Sequence, residues 1–186
     1  PFLYPEFRRL YLELRKMGMI ITINTNGTLI DEELAQFLGA NKPRRVNITL
    51  YGTDEETYSN LCHYPGGYEK TLQGIRLLRK YGVDVKVGGS LARANKDDLD
   101  KLLDVQKELD IPVRVDTYMM PATRERELPY NMQSRLDPEE AARARIHALK
   151  REMGSELFPQ YVQQSIYRAD HPEPAEARPG HMSCMA

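Results

Sequence analysis

Four short runs rich in β-branched residues, 19–25, 45–50, 83–87 and 112–117, are separated by stretches of helical periodicity and never by a hairpin turn. Antiparallel neighbours can be joined by a tight turn, whereas parallel neighbours need a crossover, usually a helix. The runs begin about 26, 38 and 29 residues apart, which is the spacing of βα units. The expected fold class is therefore α/β, a parallel sheet of βα units.

The intervening segments carry their own punctuation. A first helix puts Phe7, Leu10, Tyr11, Leu14 and Met17 on one face and ends at Gly18. Asn26-Gly27 closes the first strand, and Asp31 caps a helix with Glu32 and Glu33 in its first turn and Leu34, Phe37 and Leu38 facing inward. Thr53 and Glu56 are spaced as a capping box. A longer helix follows Pro65-Gly66-Gly67, buries Tyr68, Leu72, Ile75 and Leu78, and ends in Arg79, Lys80 and Gly82. Asn95 and Asp98 open another, carrying Leu99, Leu102, Leu103 and Leu109. Beyond Met120 the periodicity lapses until Asp137-Pro138-Glu139-Glu140 combines a cap, an N1 proline and an acidic first turn. Ala142, Ile146, Leu149 and Met153 form the expected buried stripe of that helix, and the proline-rich stretch 170–180 reads as a linker.

Composition removes several functions. Lys and Arg total 26 against 27 for Asp and Glu, so no charge excess exists to condense on nucleic acid or an anionic membrane. No apolar run approaches the roughly 20 residues of a membrane helix and no signal sequence is evident, so a cytoplasmic protein is expected. The two cysteines, Cys62 and Cys184, are too few and too distant to make a disulfide framework or a metal site by themselves. The chain begins at Pro1 rather than Met and ends just after a cysteine, and the expectation is a piece of a longer protein.

In parallel α/β architectures ligands sit outside the carboxyl ends of the strands. Those ends, 24–27, 49–52, 88–95 and 116–118, are rich in hydroxyls and amides and poor in charge. They suit hydrogen bonding to a polar organic ligand such as a ribose or adenine better than a carboxylate metal cage. The same residues also serve as turns and helix caps, and either role accounts for any one of them alone. Cys62 and His63 are adjacent, which on a helix turns them about 100° apart and unsuits them to share a proton. His147, His171 and His181 lack metal-ligand spacing.

The succession Tyr4-Pro5-Glu6-Phe7, Thr25-Asn26-Gly27-Thr28-Leu29, Asn47-Ile48-Thr49-Leu50-Tyr51-Gly52, Pro65-Gly66-Gly67-Tyr68-Glu69-Lys70-Thr71-Leu72 and Ala94-Asn95 resembles the radical S-adenosylmethionine enzymes, especially their peptide- and sulfatase-maturase branch. Pro1 would be the last residue of that family's Gly-Gly-Glu-Pro motif. The resemblance implies a partial (β/α)6 barrel of which residues 1–123 supply strands three to six. A helical extension at 124–169 and a linker at 170–186 would then lead toward an auxiliary-cluster (SPASM) domain, with Cys184 as a ligand of its cluster. Thr25, Asn26, Thr49, Tyr51, Ser90 and Asn95 would surround S-adenosylmethionine, with the backbone near Tyr118 and Met119 beside the adenine. Thr49 keeps a hydroxyl where serine is usual, and Tyr51 replaces an aspartate found in many relatives.

The family holds a 4Fe-4S cluster on a Cys-x-x-x-Cys-x-x-Cys motif, which this chain lacks, so the chain alone is expected to be inactive. The full-length parent would generate a 5′-deoxyadenosyl radical and abstract hydrogen from a peptide or protein substrate, with an electron donor such as flavodoxin or ferredoxin. Without the preceding strands, the first strand is expected to leave an unpaired edge open to self-association. The alternative from another class is a non-enzymatic α/β ligand-binding or interaction module.

Overall fold

Each β-branched run becomes a strand because its alternate residues bury against a layer of helices. In the computed structural model, which describes residues 1–111, 113–118 and 134–172, the strands are β1 (Thr22–Thr25), β2 (Arg45–Leu50), β3 (Val85–Ser90) and β4 (Val113–Asp116). They form one parallel sheet in the order β1-β2-β3-β4. The helices are α1 (Phe7–Lys16), α2 (Glu32–Ala40), α3 (Glu55–Cys62), α4 (Gly67–Lys80), α5 (Leu99–Leu109) and α6 (Pro138–Asp170), with a 3₁₀ turn at Arg93–Asp98. Gly154 interrupts α6 with φ +71°.

Residues Pro1–Ala148 form one compact unit, and a second begins at Leu149. Within the first, Ile23, Val46, Ile48, Leu50, Val85, Val87, Val113 and Val115 point to one side and bury among Leu34, Leu38, Ile75, Leu78, Leu102 and Leu103. The alternate residues, among them Asn24, Asn47, Thr49, Lys86, Gly88, Ser90, Arg114 and Asp116, share the other side, where none is fully buried. The period-2 alternation thus separates a dry face under the helices from a polar face. On that polar face the Asn47 amide donates to Asn24 Oδ1 at 2.8 Å across β1 and β2, and Arg114 pairs with Asp116 at 2.9 Å.

Several local expectations need correction. Residues 19–21 precede the first strand, whose pairing starts at Thr22 opposite Arg45, and Met19 and Ile20 are exposed. Leu10 and Met17 are exposed too, because α1 lies beside the edge strand and only its Phe7–Tyr11 side is covered. There Tyr11 packs on Phe7 and Phe37, and its hydroxyl donates to the Asn41 carbonyl at 2.6 Å. The third strand runs on through Gly88-Gly89-Ser90 instead of ending at Val87. A Cβ on Gly89 would come within 3.2 Å of Leu102, so the missing side chain lets α5 close on the strand.

The cap of α3 is Asp54, which accepts from the Thr57 amide at 2.8 Å, and not Thr53. The expected α6 stripe holds only in part: Leu149 is buried and Met153 half-buried. Ala142 and Ile146 are exposed, while Ala141 and Ala148 are buried with Ala144 packed beside them. Small alanines admit closer approach than the bulkier stripe that periodicity favoured. The expected caps Asp31 and Asp137, which accept from the Leu34 and Glu140 amides at 2.8 Å, and the N1 proline Pro138 of α6 stand where the residue types placed them.

Candidate functional site

The carboxyl ends of β1 and β2 open onto a pocket of about 700 Å³. Its polar wall is Asn24, Thr25, Asn26 and Thr28 from the first strand and turn, with Thr49 from the second. Its apolar wall is Pro1, Phe2, Leu3, Leu29, Tyr51 and Tyr64. None of these lining side chains carries a formal charge.

The first turn is fixed from within and from behind. Thr25 Oγ1 accepts from the Gly27 amide at 3.2 Å, and Asn26 Oδ1 accepts from the Thr28 amide and hydroxyl at 3.3 and 3.1 Å. Gly27 takes φ +80°, which a residue with a Cβ rarely adopts. Behind the turn, the fully buried Thr71 of α4 has its hydroxyl 3.0 Å from the Asn26 carbonyl, 2.9 Å from the Gly67 carbonyl and 3.2 Å from the Tyr58 hydroxyl. Burial pushes the Tyr58 hydroxyl above its ordinary titration range, so it stays neutral while accepting from the Thr71 hydroxyl.

The third strand end is joined to the second by one side chain. Asn95, in the 3₁₀ turn with non-helical φ −130°, donates from Nδ2 to the Ser90 carbonyl at 3.0 Å and to the Tyr51 carbonyl at 3.3 Å. Its Oδ1 accepts from the Ala92 amide at 2.7 Å. Asn95 therefore does not open a helix: it sits buried behind the strand ends, and α5 begins only at Leu99.

Of the residues singled out in the sequence, Thr25, Asn26, Thr49 and Tyr51 converge on the pocket. Ser90 ends the neighbouring strand, Asn95 is buried behind the strand ends and outside the pocket lining, and Tyr118 is exposed just past β4. Met119 and Cys184 lie outside the described residues. Sequence reasoning passed over Phe2, Leu3, Leu29 and Tyr64 as lining, and Thr71 as a support. Tyr64 directly precedes Pro65-Gly66-Gly67, but no spacing rule carries a residue from that loop back to the mouth of β1.

The two groups a nucleoside and cluster site would need fare differently. Hydroxyl and amide groups beside aromatic and aliphatic walls fit the ribose and adenine of a nucleoside such as S-adenosylmethionine, whereas the charged methionine end of that molecule meets no charged side chain in this lining. A cluster does not fit: among the described residues no three His, Cys, Asp or Glu are grouped to hold a metal. Cys62 ends α3, partly buried, and burial pushes its thiol up, away from the thiolate form that binds iron. Among the described residues no helix is long and apolar enough to cross a membrane.

The Radical SAM superfamily profile matches residues 1–106, more than half of the chain. The AdoMet-dependent heme synthase of Methanosarcina barkeri (strain Fusaro / DSM 804) is 29% identical over 107 residues, 58% of this chain and 31% of that protein. The cysteine-type anaerobic sulfatase-maturating enzyme of Clostridium novyi (strain NT) is 29% identical over 98 residues, 52% of this chain and 26% of that protein. The chain thus spans less than a third of the length of either relative. In fold, it is similar to native anSMEcpe with bound AdoMet and Kp18Cys peptide, with a TM-score of 0.61 at 22% identity over 78% of this chain and 41% of that one.

Proposed function

The chain belongs to the radical SAM superfamily, and from that premise we propose that its pocket at the β1 and β2 ends is the S-adenosylmethionine site of a full-length enzyme. The family uses S-adenosylmethionine with a 4Fe-4S cluster, and its solved relatives are partial barrels to which this parallel sheet corresponds. The observation that carries the reading is the convergence of Thr25, Asn26, Thr49 and Tyr51 on one pocket lined by uncharged side chains.

When bound beside a reduced cluster, the cofactor supplies a hydrogen-abstracting radical. Everything this chain contributes is binding and orientation. The Thr25–Thr28 turn and Thr49 offer hydroxyl and amide partners to the ribose and amino-acid portions, and Tyr51 sets an aromatic wall against them. Ser90 extends the same row from β3, and we assign the backbone near Tyr118 and Met119 to the adenine. The cluster ligands lie outside this chain's described residues, and Cys184 would serve an auxiliary cluster. We place the core at 1–123, a helical extension at 124–169 and a linker at 170–186, in a cytoplasmic protein reduced by a flavodoxin- or ferredoxin-type donor.

The substrate we propose is a peptide or protein side chain. The sulfatase-maturating relative and the fold likeness to a peptide-bound structure support it. The test is calorimetric titration of S-adenosylmethionine into the cluster-loaded full-length protein and its Ser90→Ala variant. Loss of a buried polar contact should weaken binding by about 1 to 3 kcal/mol. Unchanged affinity in the folded variant removes Ser90 from the site, and absence of binding by the unmodified protein removes the reading.

A further inference from the structure

The β2–β3 ladder ends at the pair Leu50–Gly89, one residue short of Tyr51. Past that point the two strands are tied by a side chain: Asn95 Nδ2 spans the carbonyls of Tyr51 and Ser90, while its Oδ1 takes the Ala92 amide. Both protons of its amide nitrogen are therefore committed to protein carbonyls, and Asn95 is only 2% exposed. It is absent from the pocket lining, whereas Tyr51 is part of it. A group with both donors spent and almost no exposed surface is poorly placed to offer hydrogen bonds to a ligand.

From this geometry we infer that Asn95 is a positioning residue: it fixes the backbone on which Tyr51 hangs and so sets the aromatic wall of the pocket without touching the ligand. Tyr51 has one further constraint on its ring, an edge contact with buried Tyr58 at 6.1 Å. The backbone tie and the ring contact act on the same residue that lines the pocket. This inference rests on reading the pocket as the S-adenosylmethionine site, and its test includes a readout that needs no ligand.

The variant to make is Asn95→Asp, which keeps an acceptor for the Ala92 amide but replaces the two N–H donors of Nδ2 with one carboxylate oxygen that repels the Tyr51 and Ser90 carbonyls. In the ligand-free chain, the ring resonances of isotopically labelled Tyr51 should shift while those of distant Tyr11 do not. In the cluster-loaded full-length protein, S-adenosylmethionine should bind about tenfold more weakly, because the aromatic wall of Tyr51 is no longer held in place. In a Tyr51→Ala background the same Asn95→Asp change should leave affinity almost unmoved, because the side chain through which it acts is gone.

Additive losses in the two backgrounds would mean a direct contact or a general loss of stability, and would overturn the proposal. So would unchanged Tyr51 resonances in a folded variant. Should the unmodified protein fail to bind S-adenosylmethionine, the reading of the pocket falls while the resonance shift still decides the positioning role. If Asn95→Asp does not fold, Asn95→Ser keeps a hydroxyl for one of the three partners and is read in the same two ways.

Discussion

Thr71 reaches across 45 residues of sequence to place its hydroxyl 3.0 Å from the carbonyl oxygen of Asn26, at the turn that forms the polar wall of the pocket. Thr71 is fully buried, so the bond is made where water cannot substitute. Replacing Thr71 by valine keeps the shape and deletes the hydroxyl, leaving the Tyr58 hydroxyl without its buried partner. The expected cost is about 1 to 3 kcal/mol in urea unfolding. A free energy within error of the parent would show that the turn does not depend on α4.

Gly74, one helical turn further along α4, sets a stricter limit. A Cβ there would stand 2.5 Å from the Gly27 carbonyl oxygen and 3.2 Å from Ile30 Cβ. Alanine inside a helix normally gains about 1 kcal/mol over glycine. Here the close approach to backbone should outweigh that gain and cost about 1 to 3 kcal/mol, since an overpacked core must move to relieve the clash. Thermal unfolding of Gly74→Ala should therefore show a lower midpoint, and a higher one would mean that the helix and turn are not in contact.

These two contacts mark the border of what the sequence makes legible. Strand order, parallel pairing and most helix faces follow from local periodicity, because Ile23, Val46, Ile48 and Val87 each announce a buried face within a few residues. Asp31 is legible as a cap for the same local reason. Thr71, Gly74 and Asn95 are not, since each acts on a partner 44 to 47 residues away, and nothing within a turn of helix distinguishes them from ordinary helix or cap residues. Thr53 misled because two adjacent cap-forming residues, Thr53 and Asp54, compete for one amide, and the carboxylate is the stronger acceptor.

Asp54 gives the unit a pH dependence of definite sign. The backbone bond from Thr57 and then Thr57's side chain, helped by Lys101 at 3.9 Å, hold its carboxyl below the ordinary value. A depressed folded-state value means stabilisation that is present above the unfolded value and lost as pH falls through the folded one. Asp54→Asn keeps a cap oxygen and removes the titration. The stability difference between the parent and this variant should be level at neutral pH and shrink below about pH 4. Measured by denaturant midpoints across that range, a difference that grows on acidification would show that the cap bond is absent.

The edge of the sheet should govern how this chain behaves in solution. Among the described residues β1 is paired with β2 alone, and near it lie exposed Met19 and Ile20 and the exposed Leu10 of α1. An unpaired strand edge beside apolar surface is a template for another strand. The 186-residue chain should therefore self-associate with rising concentration, as sedimentation velocity would record. The effect should come from the edge rather than from general stickiness, and two substitutions separate these. Ile20→Lys puts a charge beside the edge without touching the core, since Ile20 is 84% exposed. Ile146→Lys makes the same change of charge on an exposed residue of the helix α6 rather than beside the edge strand. The first should shift the chain toward monomer and the second should leave the distribution as it was. Equal effects from both, or a parent that stays monomeric over a hundredfold range of concentration, would remove the edge as the cause.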